Sequence, residues 1–408
     1  MTQAVNRVAM VSMHTSPSTP AGTGDAGGMN VALLATALEL ASRGVEVDLL
    51  TRAAGEPAAT LLAPGVTQYE LMAGPRGALP KSELSHYSDE FGEGIARLIE
   101  RDDRRYDVIH SHYWLSGIAS LPVALEFGLP FVQSFHTIGA MKNRRLAPGD
   151  TPESERRVLS ERFLAGQADA IIAGSSAEVT SLIDQVGAPP EKIWVIPPGV
   201  DTALFTPGKS AAAAAVRERL GIGPGRPVLA VVGRVQPLKG QDLAIRSLAA
   251  LSGPRPVLAI VGSPTPGAEN FDRGLRELAD TLGVTDDVRF VGALERDGIA
   301  DLLAMSALTL LPSHSETFGL VALESAASGT PVIGSRSTGL VESISDGESG
   351  LLLPNRDPEV WAAGISGLLA NPARLLQLST TARDHAEKFS WGTAAASLLG
   401  VYASLKRP

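Results

Sequence analysis

The sequence predicts an α/β protein made of two doubly wound parallel-sheet domains that face each other across a cleft. The chain has 408 residues, more than one hydrophobic core usually supports, so two domains of similar size are expected. In both halves short apolar runs alternate with segments of helical periodicity, which is typical of successive βαβ units. Turns rich in glycine and charged residues follow several apolar runs, at the sheet edge where such folds bind ligands. We expect an N-terminal domain over residues 1–201, joined by the last helix at 390–408, and a C-terminal domain over residues 202–389.

The composition is that of a globular protein and excludes several functional classes. Hydrophobic residues make up 44% of the chain, charged residues make up 19%, and the formal net charge is −9. Such an acidic chain is not a general nucleic-acid binder, because phosphate-backbone recognition needs a broad cationic surface. The absence of cysteine excludes disulfides, thiolate metal sites and a cysteine nucleophile. No apolar run has the length of a signal or membrane-spanning segment, so a cytoplasmic protein is expected.

The predicted elements alternate along the chain. Strands are expected at or within Arg7–Met13, Val45–Leu50, Val66–Leu71, Tyr106–Trp114, Pro130–Phe135, Ala170–Ala173, Ile193–Ile196, Pro227–Val232, Pro256–Val261, Val288–Val291, Ala307–Leu311 and Pro331–Gly334. Helices are expected at Met29–Arg43, Phe91–Arg101, Ser154–Leu164, Ala211–Leu220, Asp242–Leu251, Trp361–Leu369, Ala373–Phe389 and Ala394–Leu405. Thr151 is a suitable N-cap with Pro152 at the first helical position, and Ser390 is expected to cap the last helix.

Two segments of the first half have the composition of an anion site. The turn-rich stretch His14–Gly28 ends in Asp25-Ala26-Gly27-Gly28 directly before a helix, and backbone N–H groups in such a loop can hold a phosphate. The stretch lacks the GxGxxG spacing, so a flexible connection is the alternative. Arg157 lies within one turn of a predicted helix start, near the strand edge where Thr137 emerges. This position suits a phosphate-facing arginine, and a solvated helix face is the alternative.

The predicted strand before Tyr113 ends in two histidines. His110 and His112 share a face, because successive side chains of a strand point to opposite sides. No third ligand follows at metal spacing. A metal centre is therefore not expected there.

The second half places charged residues at two predicted strand ends. Arg234 and Lys239 follow one strand and precede a helix. Two fixed cations there suit a diphosphate, above all when it leaves, and solvated loop cations are the alternative. Glu316 and Glu324 flank Phe318-Gly319-Leu320 at a strand-to-helix turn, so they should hold different parts of one elongated ligand. A capping loop followed by a helix with one surface glutamate is the alternative.

Taken together, these segments resemble the retaining glycosyltransferases of family 4. The resemblance rests on the glycine loop, on GRVQPLKG at 233–240 and on ETFGLVALE at 316–324, in the expected order over nearly the whole chain. It implies the GT-B architecture of two facing Rossmann-like domains. Within the family, SMHTSP, GTGDAGGMNV, HSHYWLSG and DTPESE are similar to enzymes that glycosylate inositol phosphate in mycothiol biosynthesis. The implied reaction moves N-acetylglucosamine from UDP-N-acetylglucosamine to 1D-myo-inositol 3-phosphate with retention of configuration.

The resemblance also implies the site residues. The donor side comprises the catalytic residues His136, Arg234, Lys239 and Glu316 and the further contacts Gly28, Phe318, Gly319, Leu320 and Glu324. The acceptor side comprises His14, Asp25, Asn30, Lys81, Tyr113, Thr137 and Arg157. Arg234 and Lys239 would hold the diphosphate near Gly28, whereas Glu324 would take the ribose hydroxyls and Glu316 those of the transferred sugar.

Roles on the acceptor side follow from the same resemblance. Lys81, Tyr113, Thr137 and Arg157 would bind the inositol phosphate, because a phosphate monoester needs cations and donors converging from several strand ends. His14 and Asn30 would contact the ring hydroxyls, and His136 would sit at the reacting sugar. Apart from Asp25, no carboxylate stands in the first-domain loops that would face this sugar, in keeping with retention without a protein nucleophile.

The resemblance leaves alternatives open. At Val291–Glu295 the chain lacks the Pro/Arg-rich turn that lies beside the nucleotide base in related enzymes, so the choice of UDP rests on resemblance alone. A family 4 enzyme using another nucleotide sugar, or a sugar phosphate, inositol lipid or polysaccharide as acceptor, is one alternative. A nucleotide-sugar-binding protein without transferase activity is another. No tightly bound cofactor is implied, the fold does not require a divalent metal although Mg²⁺ is compatible with it, and the expected partners are small-molecule substrates and a second copy in a homodimer.

Overall fold

The structure, a computed structural model, describes residues 4–101, 104–208 and 210–405. The first three residues of the predicted N-terminal domain and the last three of the segment 390–408 lie outside the described residues, as do 102, 103 and 209. The strands are β1 Arg7–Val11, β2 Glu46–Arg52, β3 Ala58–Ala63, β4 Val66–Leu71, β5 Val108–His112, β6 Phe131–Ser134, β7 Ala170–Ala173, β8 Ile193–Val195, β9 Val228–Val232, β10 Val257–Val261, β11 Val288–Gly292, β12 Leu308–Leu311, β13 Val332–Ser335 and β14 Gly350–Leu353. The helices are α1 Gly28–Ser42, α2 Lys81–Leu84, α3 Ser88–Arg101, α4 Trp114–Glu126, α5 Gly139–Arg144, α6 Glu155–Gln167, α7 Ser176–Ser181, α8 Ser210–Arg219, α9 Gln241–Ala250, α10 Glu269–Thr281, α11 Arg296–Met305, α12 Leu320–Ala327, α13 Leu340–Ser343, α14 Pro358–Leu369, α15 Pro372–Ala386 and α16 Trp391–Leu405.

The N-terminal sheet has eight strands in the order β3-β4-β2-β1-β5-β6-β7-β8. Neighbouring strands run parallel, except that β3 and β4 form an antiparallel pair. Strand β1 pairs with β2 on one side and with β5 on the other, so the strand order reverses between β1 and β5. At such a switch point the loops diverge and leave a crevice at the carboxyl ends of the strands. The loops that leave β1 and β5 begin at residues 12 and 113.

The C-terminal sheet has six parallel strands in the order β11-β10-β9-β12-β13-β14. This is the 3-2-1-4-5-6 order of a Rossmann fold. Its switch point lies between β9 and β12, which are paired at Leu229 and Leu308. The loops that leave these strands, from residues 233 and 312, are the two charged segments singled out in the sequence.

The last helix returns to the N-terminal sheet. In α16, Leu398, Val401 and Tyr402 are buried against β1 and α1 residues such as Met10 and Leu33. Ser390 accepts a hydrogen bond from the backbone N–H of Thr393 at 3.0 Å, which confirms the predicted cap. Among the described residues, none of the helices has both the length and the hydrophobicity needed to cross a membrane.

The elements that the sequence prediction missed include one buried helix and two strands. Helix α4 is buried on nearly every side and contains Gly117 and Pro122, so it lacks the amphipathic period that marks a surface helix. Strand β3 is largely exposed at the sheet edge, and β14 is only four residues long. Strand β3 therefore lacks the pattern of a buried strand, whereas the apolar run Leu351–Leu353 of β14 is a signal that the sequence analysis did not use.

The N-cap predicted for α6 was wrong, although the helix begins within one residue of the predicted Ser154. The cap is Ser154, whose Oγ accepts a hydrogen bond from the N–H of Arg157 at 3.3 Å, rather than Thr151. The reason is tertiary: Asn143 Oδ1 accepts the N–H of Glu153 at 2.7 Å, and Asn143 Nδ2 donates to the carbonyl of Glu153 at 3.2 Å. These bonds hold Glu153 outside the helix.

Candidate active site

The switch points of the two sheets face each other, and loops from both touch. Thr317, in the loop after β12, donates to the carbonyl of His136 at 2.5 Å. Its own carbonyl accepts a hydrogen bond from Ser175 Oγ at 2.8 Å. Arg234 and Asp25 form a further contact between the two halves at 3.4 Å. The predicted donor and acceptor residues therefore line one interface between the sheets.

Lys239 and Glu316 form the centre of the C-terminal part of this site. Lys239 Nζ lies 2.6 Å from Glu316 Oε1, and Ser313 Oγ donates to the same oxygen at 2.8 Å. The backbone N–H of Glu316 donates to Thr338 Oγ1 at 2.8 Å. The contacts from Lys239 and Ser313 both use Oε1, so the other carboxylate oxygen has no hydrogen-bond partner among the described residues and can accept a ligand hydroxyl.

The turn that follows Glu316 presents backbone rather than side chains. Gly319 has φ 94° at the start of α12, a conformation that glycine adopts without strain. The Phe318 side chain is buried in the core beneath and packs against Phe389 with ring centroids 5.8 Å apart. Leu320 approaches the glycine loop, since a Cβ at Gly28 would lie 3.2 Å from its Cδ1.

Glu324 is buried in α12 beside Arg296, a residue that the sequence analysis missed. Arg296 NH1 donates to Glu324 Oε1 at 3.0 Å. Burial raises the pKa of Glu324, and the charge of Arg296 opposes that rise. Arg296 begins α11, directly after the segment Val291–Glu295. The signal that could have found it is a cation just past the β11 strand end.

Asp25 links the cations of the two halves. Its Oδ1 lies 2.8 Å from Lys81 Nζ and 3.4 Å from Arg234 NH1. Burial lowers the pKa of both cations, and Asp25 opposes this. Gly27 lies beside Arg234, since a Cβ there would be in van der Waals contact with Arg234 Nε at 3.7 Å.

The four residues predicted to bind a phosphate come together. Arg157 NH2 donates at 2.8 Å to both the carbonyl and the Oγ1 of Thr137. The ring of Tyr113 lies beneath two cations, with Arg157 Cζ 4.8 Å and Lys81 Nζ 5.8 Å from its centroid. Positive φ at Tyr113, 75°, turns the chain away from β5 at this point. Cations and hydroxyl groups from four separate segments thus lie together.

Two carboxylates that the sequence analysis did not assign hold Arg157 in place. Arg157 Nε lies 2.7 Å from Glu161 Oε1 and its NH1 lies 3.0 Å from Glu153 Oε2. Burial alone would lower the pKa of Arg157, but Tyr113 and these carboxylates raise it above its ordinary value. Arg157 is therefore a permanently charged, oriented guanidinium.

His14 and Asn30 lie in the glycine-loop part of the site. The His14 ring packs against the ring of Tyr113 with centroids 4.3 Å apart and a tilt of 39°, and its Nδ1 is buried without a hydrogen-bond partner in the part of the chain that the structure describes. Burial, with Lys81 next, lowers the pKa of His14 well below 6.5. Asn30 accepts the N–H of Gly27 at 3.1 Å and donates to Thr15 and Ser16 at 3.0 and 2.6 Å. Asn30 thus holds the loop in shape, and its contact with ring hydroxyls stays a prediction.

His136 adopts φ 59°, which directs its carbonyl to Thr317 and its ring to the sheet. Its Nε2 lies 2.8 Å from Nδ1 of His112. Burial lowers the pKa of His136 to about 4, so the ring is neutral. Among the described residues, no three histidine, aspartate or glutamate side chains are grouped so as to hold a metal ion.

A cavity of about 300 Å³ adjoins the Glu316 side of the site. Ser313, which binds Glu316, also lines this cavity, together with Arg145 from the N-terminal half and Arg336 from the loop after β13. The sequence analysis did not single out Arg145 or Arg336 as site residues.

Comparison with known proteins identifies the family to which the chain belongs. Residues 26–204 match the family described as Glycosyltransferase Family 4, and residues 213–385 match Glycosyl transferases group 1. A D-inositol 3-phosphate glycosyltransferase of Acidothermus cellulolyticus is 44% identical over 405 residues, covering 97% of this chain and 90% of the relative. Another, from Salinispora arenicola, is 43% identical and covers 97% of this chain and 91% of the relative. The chain belongs to glycosyltransferase family 4, in the group of the D-inositol 3-phosphate glycosyltransferases.

Solved structures confirm the GT-B fold expected for this glycosyltransferase. A sucrose-phosphate synthase from Thermosynechococcus elongatus matches with a TM-score of 0.90 and 28% identity, over 98% of this chain and 99% of its own. Anabaena HepE in complex with UDP and glucose matches with a TM-score of 0.78 and 20% identity, over 98% and 99% of the two chains. The second likeness is one of fold alone.

Proposed function

We propose that this glycosyltransferase moves N-acetylglucosamine from UDP-N-acetylglucosamine to 1D-myo-inositol 3-phosphate, with retention, as the first step of mycothiol biosynthesis. The observation that carries the proposal is the convergence of Lys81, Tyr113, Thr137 and Arg157 beside Arg234. Such a cluster fits a phosphate monoester next to a diphosphate. The relatives named above, which share the same activity in name and more than two-fifths of the sequence, support the choice of acceptor.

Arg234 and Lys239 stabilise the leaving diphosphate in this proposal. As the bond from the anomeric carbon to the diphosphate oxygen breaks, negative charge grows on that oxygen, and fixed cations stabilise it most at that moment. The acceptor hydroxyl oxygen bonds to the anomeric carbon on the same face. Its proton passes to a diphosphate oxygen, so no protein base is needed.

Glu316 and Glu324 bind hydroxyls rather than act as an acid–base pair. Glu316 offers its unpartnered oxygen to the transferred sugar, while Lys239 and Ser313 hold the other oxygen. Glu324, which Arg296 holds in position by a hydrogen bond, accepts hydrogen bonds from the ribose hydroxyls. Gly28 and the backbone at Gly319 let the donor approach the helix starts, where N–H groups favour anions and hydroxyls.

On the acceptor side, Arg157 and Thr137 form a single oriented donor group for the phosphate. Lys81 adds a second cation that Asp25 holds in place. His14 and Asn30 border the same loop as Asp25. The proposal also assigns acceptor binding to residues 1–201 with the last helix, and donor binding to residues 202–389. The two family matches support this division, since one ends at residue 204 and the other begins at residue 213. The proposed reaction uses no resident cofactor, and it is compatible with Mg²⁺ bound to the diphosphate without requiring it.

Release of UDP tests the proposal directly. The enzyme is incubated with UDP-N-acetylglucosamine and either 1D-myo-inositol 3-phosphate or unphosphorylated myo-inositol. We expect release with the phosphate ester and far slower release with inositol, because the ester alone engages the four-residue cluster. Equal release with both acceptors would overturn the assignment of Lys81, Tyr113, Thr137 and Arg157. UDP-glucose in place of UDP-N-acetylglucosamine tests the donor sugar in the same assay.

A further inference from the structure

Three histidines form a chain of contacts from the N-terminal sheet to the site. His110 and His112 lie on one face of β5 with ring centroids 4.1 Å apart. His112 stacks on His136, with centroids 5.1 Å apart, and its Nδ1 lies 2.8 Å from His136 Nε2. The position of the hydrogen in that last bond determines what His136 can do.

Each of the three rings is neutral. Burial, followed by the neighbouring histidines, lowers the pKa of His112 well below 6.5 and that of His110 to about 3, and burial lowers the pKa of His136 to about 4. A neutral imidazole has one N–H and one bare nitrogen. The bond between His112 and His136 therefore contains one hydrogen, which either ring could supply.

The other ring nitrogen of His112, Nε2, determines which of the two rings donates the hydrogen bond between His112 and His136. His112 Nε2 is buried without a hydrogen-bond partner among the described residues. His110 cannot serve it, because its nitrogens are engaged by Tyr402 OH at 2.6 Å and Ser134 Oγ at 2.9 Å. If His136 supplied the hydrogen, His112 would have to carry its own on Nε2, as a buried N–H without an acceptor. Buried unpaired N–H groups are rarer than under-used acceptors.

We propose that His112 is a positioning residue: its Nδ1–H donates to Nε2 of His136 and fixes His136 in the tautomer that carries its hydrogen on Nδ1. His136 Nδ1 has no hydrogen-bond partner among the described residues, and His136 as a residue is half-buried. His136 thus presents a hydrogen-bond donor to the cleft, not a base. The inference rests on the proposed function for the ligand, an oxygen of the transferred sugar. It agrees with a mechanism in which the acceptor's proton goes to the diphosphate.

The tautomer is measured without any substrate. In uniformly ¹⁵N-labelled enzyme, long-range ¹H–¹⁵N correlation distinguishes protonated from bare ring nitrogens, and a chain with seven histidines gives a spectrum in which His136 can be assigned from a His136→Gln variant. We expect a protonated Nδ1 and a bare Nε2 at His136. A protonated Nε2 at His136 would overturn the proposal, whatever the activity of the enzyme.

Turnover tests whether His112 acts through His136. Leucine at position 112 removes the N–H at similar size, whereas asparagine keeps an N–H near the place of Nδ1. We expect His112→Leu to lower kcat about tenfold, as for loss of one oriented hydrogen bond, with the KM for inositol phosphate within about twofold of wild type. His112→Asn should recover most of that loss.

A double variant provides the control. In a His136→Ala background, His112→Leu should cause no further loss of kcat, because residues that act as one unit are not additive. Additive losses, or a His112→Asn variant as slow as His112→Leu, would contradict a positioning role. If wild-type enzyme releases no UDP with inositol phosphate, the proposed function fails, and the NMR measurement still decides the tautomer.

Discussion

Lys239 donates a hydrogen bond to Glu316 across the switch point of the C-terminal sheet, at 2.6 Å. The two residues come from the loops that leave β9 and β12, the neighbouring strands at which the strand order reverses. The pair therefore joins the residue proposed to hold the diphosphate to the residue proposed to hold the sugar. In the proposed function, the bond that breaks between sugar and diphosphate lies beside this cation.

Removing that cation should affect turnover more than binding. We expect Lys239→Ala to lower kcat by on the order of a hundredfold or more, in line with the loss of one electrostatic stabiliser of a leaving group. Steady-state UDP release measures it. Lys192→Ala is the matched control, since among the described residues Lys192 Nζ donates only to the carbonyl of Gly166, on the surface. Near-normal turnover of Lys239→Ala would refute the role of Lys239.

Arg157 should distinguish a phosphorylated from an unphosphorylated acceptor. Its NH2 donates twice to Thr137 while Nε is held by Glu161, a geometry that a lysine cannot reproduce. We expect Arg157→Lys to raise the KM for inositol phosphate roughly tenfold to a hundredfold. The slow rate with inositol should stay the same.

The control for this change is the neighbouring arginine. Arg156 is exposed and donates to the carbonyl of Ser85 at 3.0 Å, so Arg156→Lys should leave both acceptors unaffected. An Arg157→Lys enzyme that loses activity equally with both acceptors would show that Arg157 supports the fold rather than the phosphate.

The sequence revealed where the chain turns but not which distant side chains meet. Strand bounds such as Val66–Leu71 and Ala170–Ala173 were predicted correctly, because buried strands have local apolar runs. Because the strand ends were predicted, the positions of the loops at both switch points were predicted as well. The pairing of Glu324 with Arg296 and the bridge from Asp25 to Arg234 depend on how helices and domains pack. No local period or spacing encodes such contacts.

Glu178 should make the stability of the protein depend on pH. It is buried at the contact between the halves, where its N–H donates to Ser175 Oγ. Burial raises its pKa to about 7, although the N–H of Gly174 opposes the rise and Glu342 adds to it. Below its ordinary value of 4.5 the group is protonated in both states. As the pH rises to 7 the unfolded chain ionises first, so stability is lost.

The test compares wild type with Glu178→Gln, which cannot ionise. Between pH 4.5 and 8 we expect the free energy of unfolding of wild type to fall relative to the variant by on the order of 3 kcal/mol. Urea unfolding at the two pH values measures it, with exposed Glu191→Gln as control. A difference that does not change with pH would mean that Glu178 titrates normally.

We expect Gly240 to be essential because a side chain at this position would clash. A second glycine, Gly221, separates the effect of this clash from that of backbone strain. Gly240 adopts φ 69°, and a Cβ there would lie 2.2 Å from the carbonyl oxygen of Pro312. Gly221 has nearly the same conformation, φ 63°, but a Cβ there would meet nothing within 4 Å. Gly221→Ala should therefore cost only the left-handed strain of an alanine, about 1 kcal/mol.

For Gly240→Ala we expect roughly 3 kcal/mol or more, because the added methyl forces the loop after β9 away from the loop after β12. That displacement separates Lys239 from Glu316, so the KM for the nucleotide sugar should rise as well. Urea unfolding and donor-dependent UDP release on the two variants measure both effects. Equal costs at the two glycines would show that the loops can part without harm, and the 2.6 Å pairing of Lys239 with Glu316 would then not depend on this close approach.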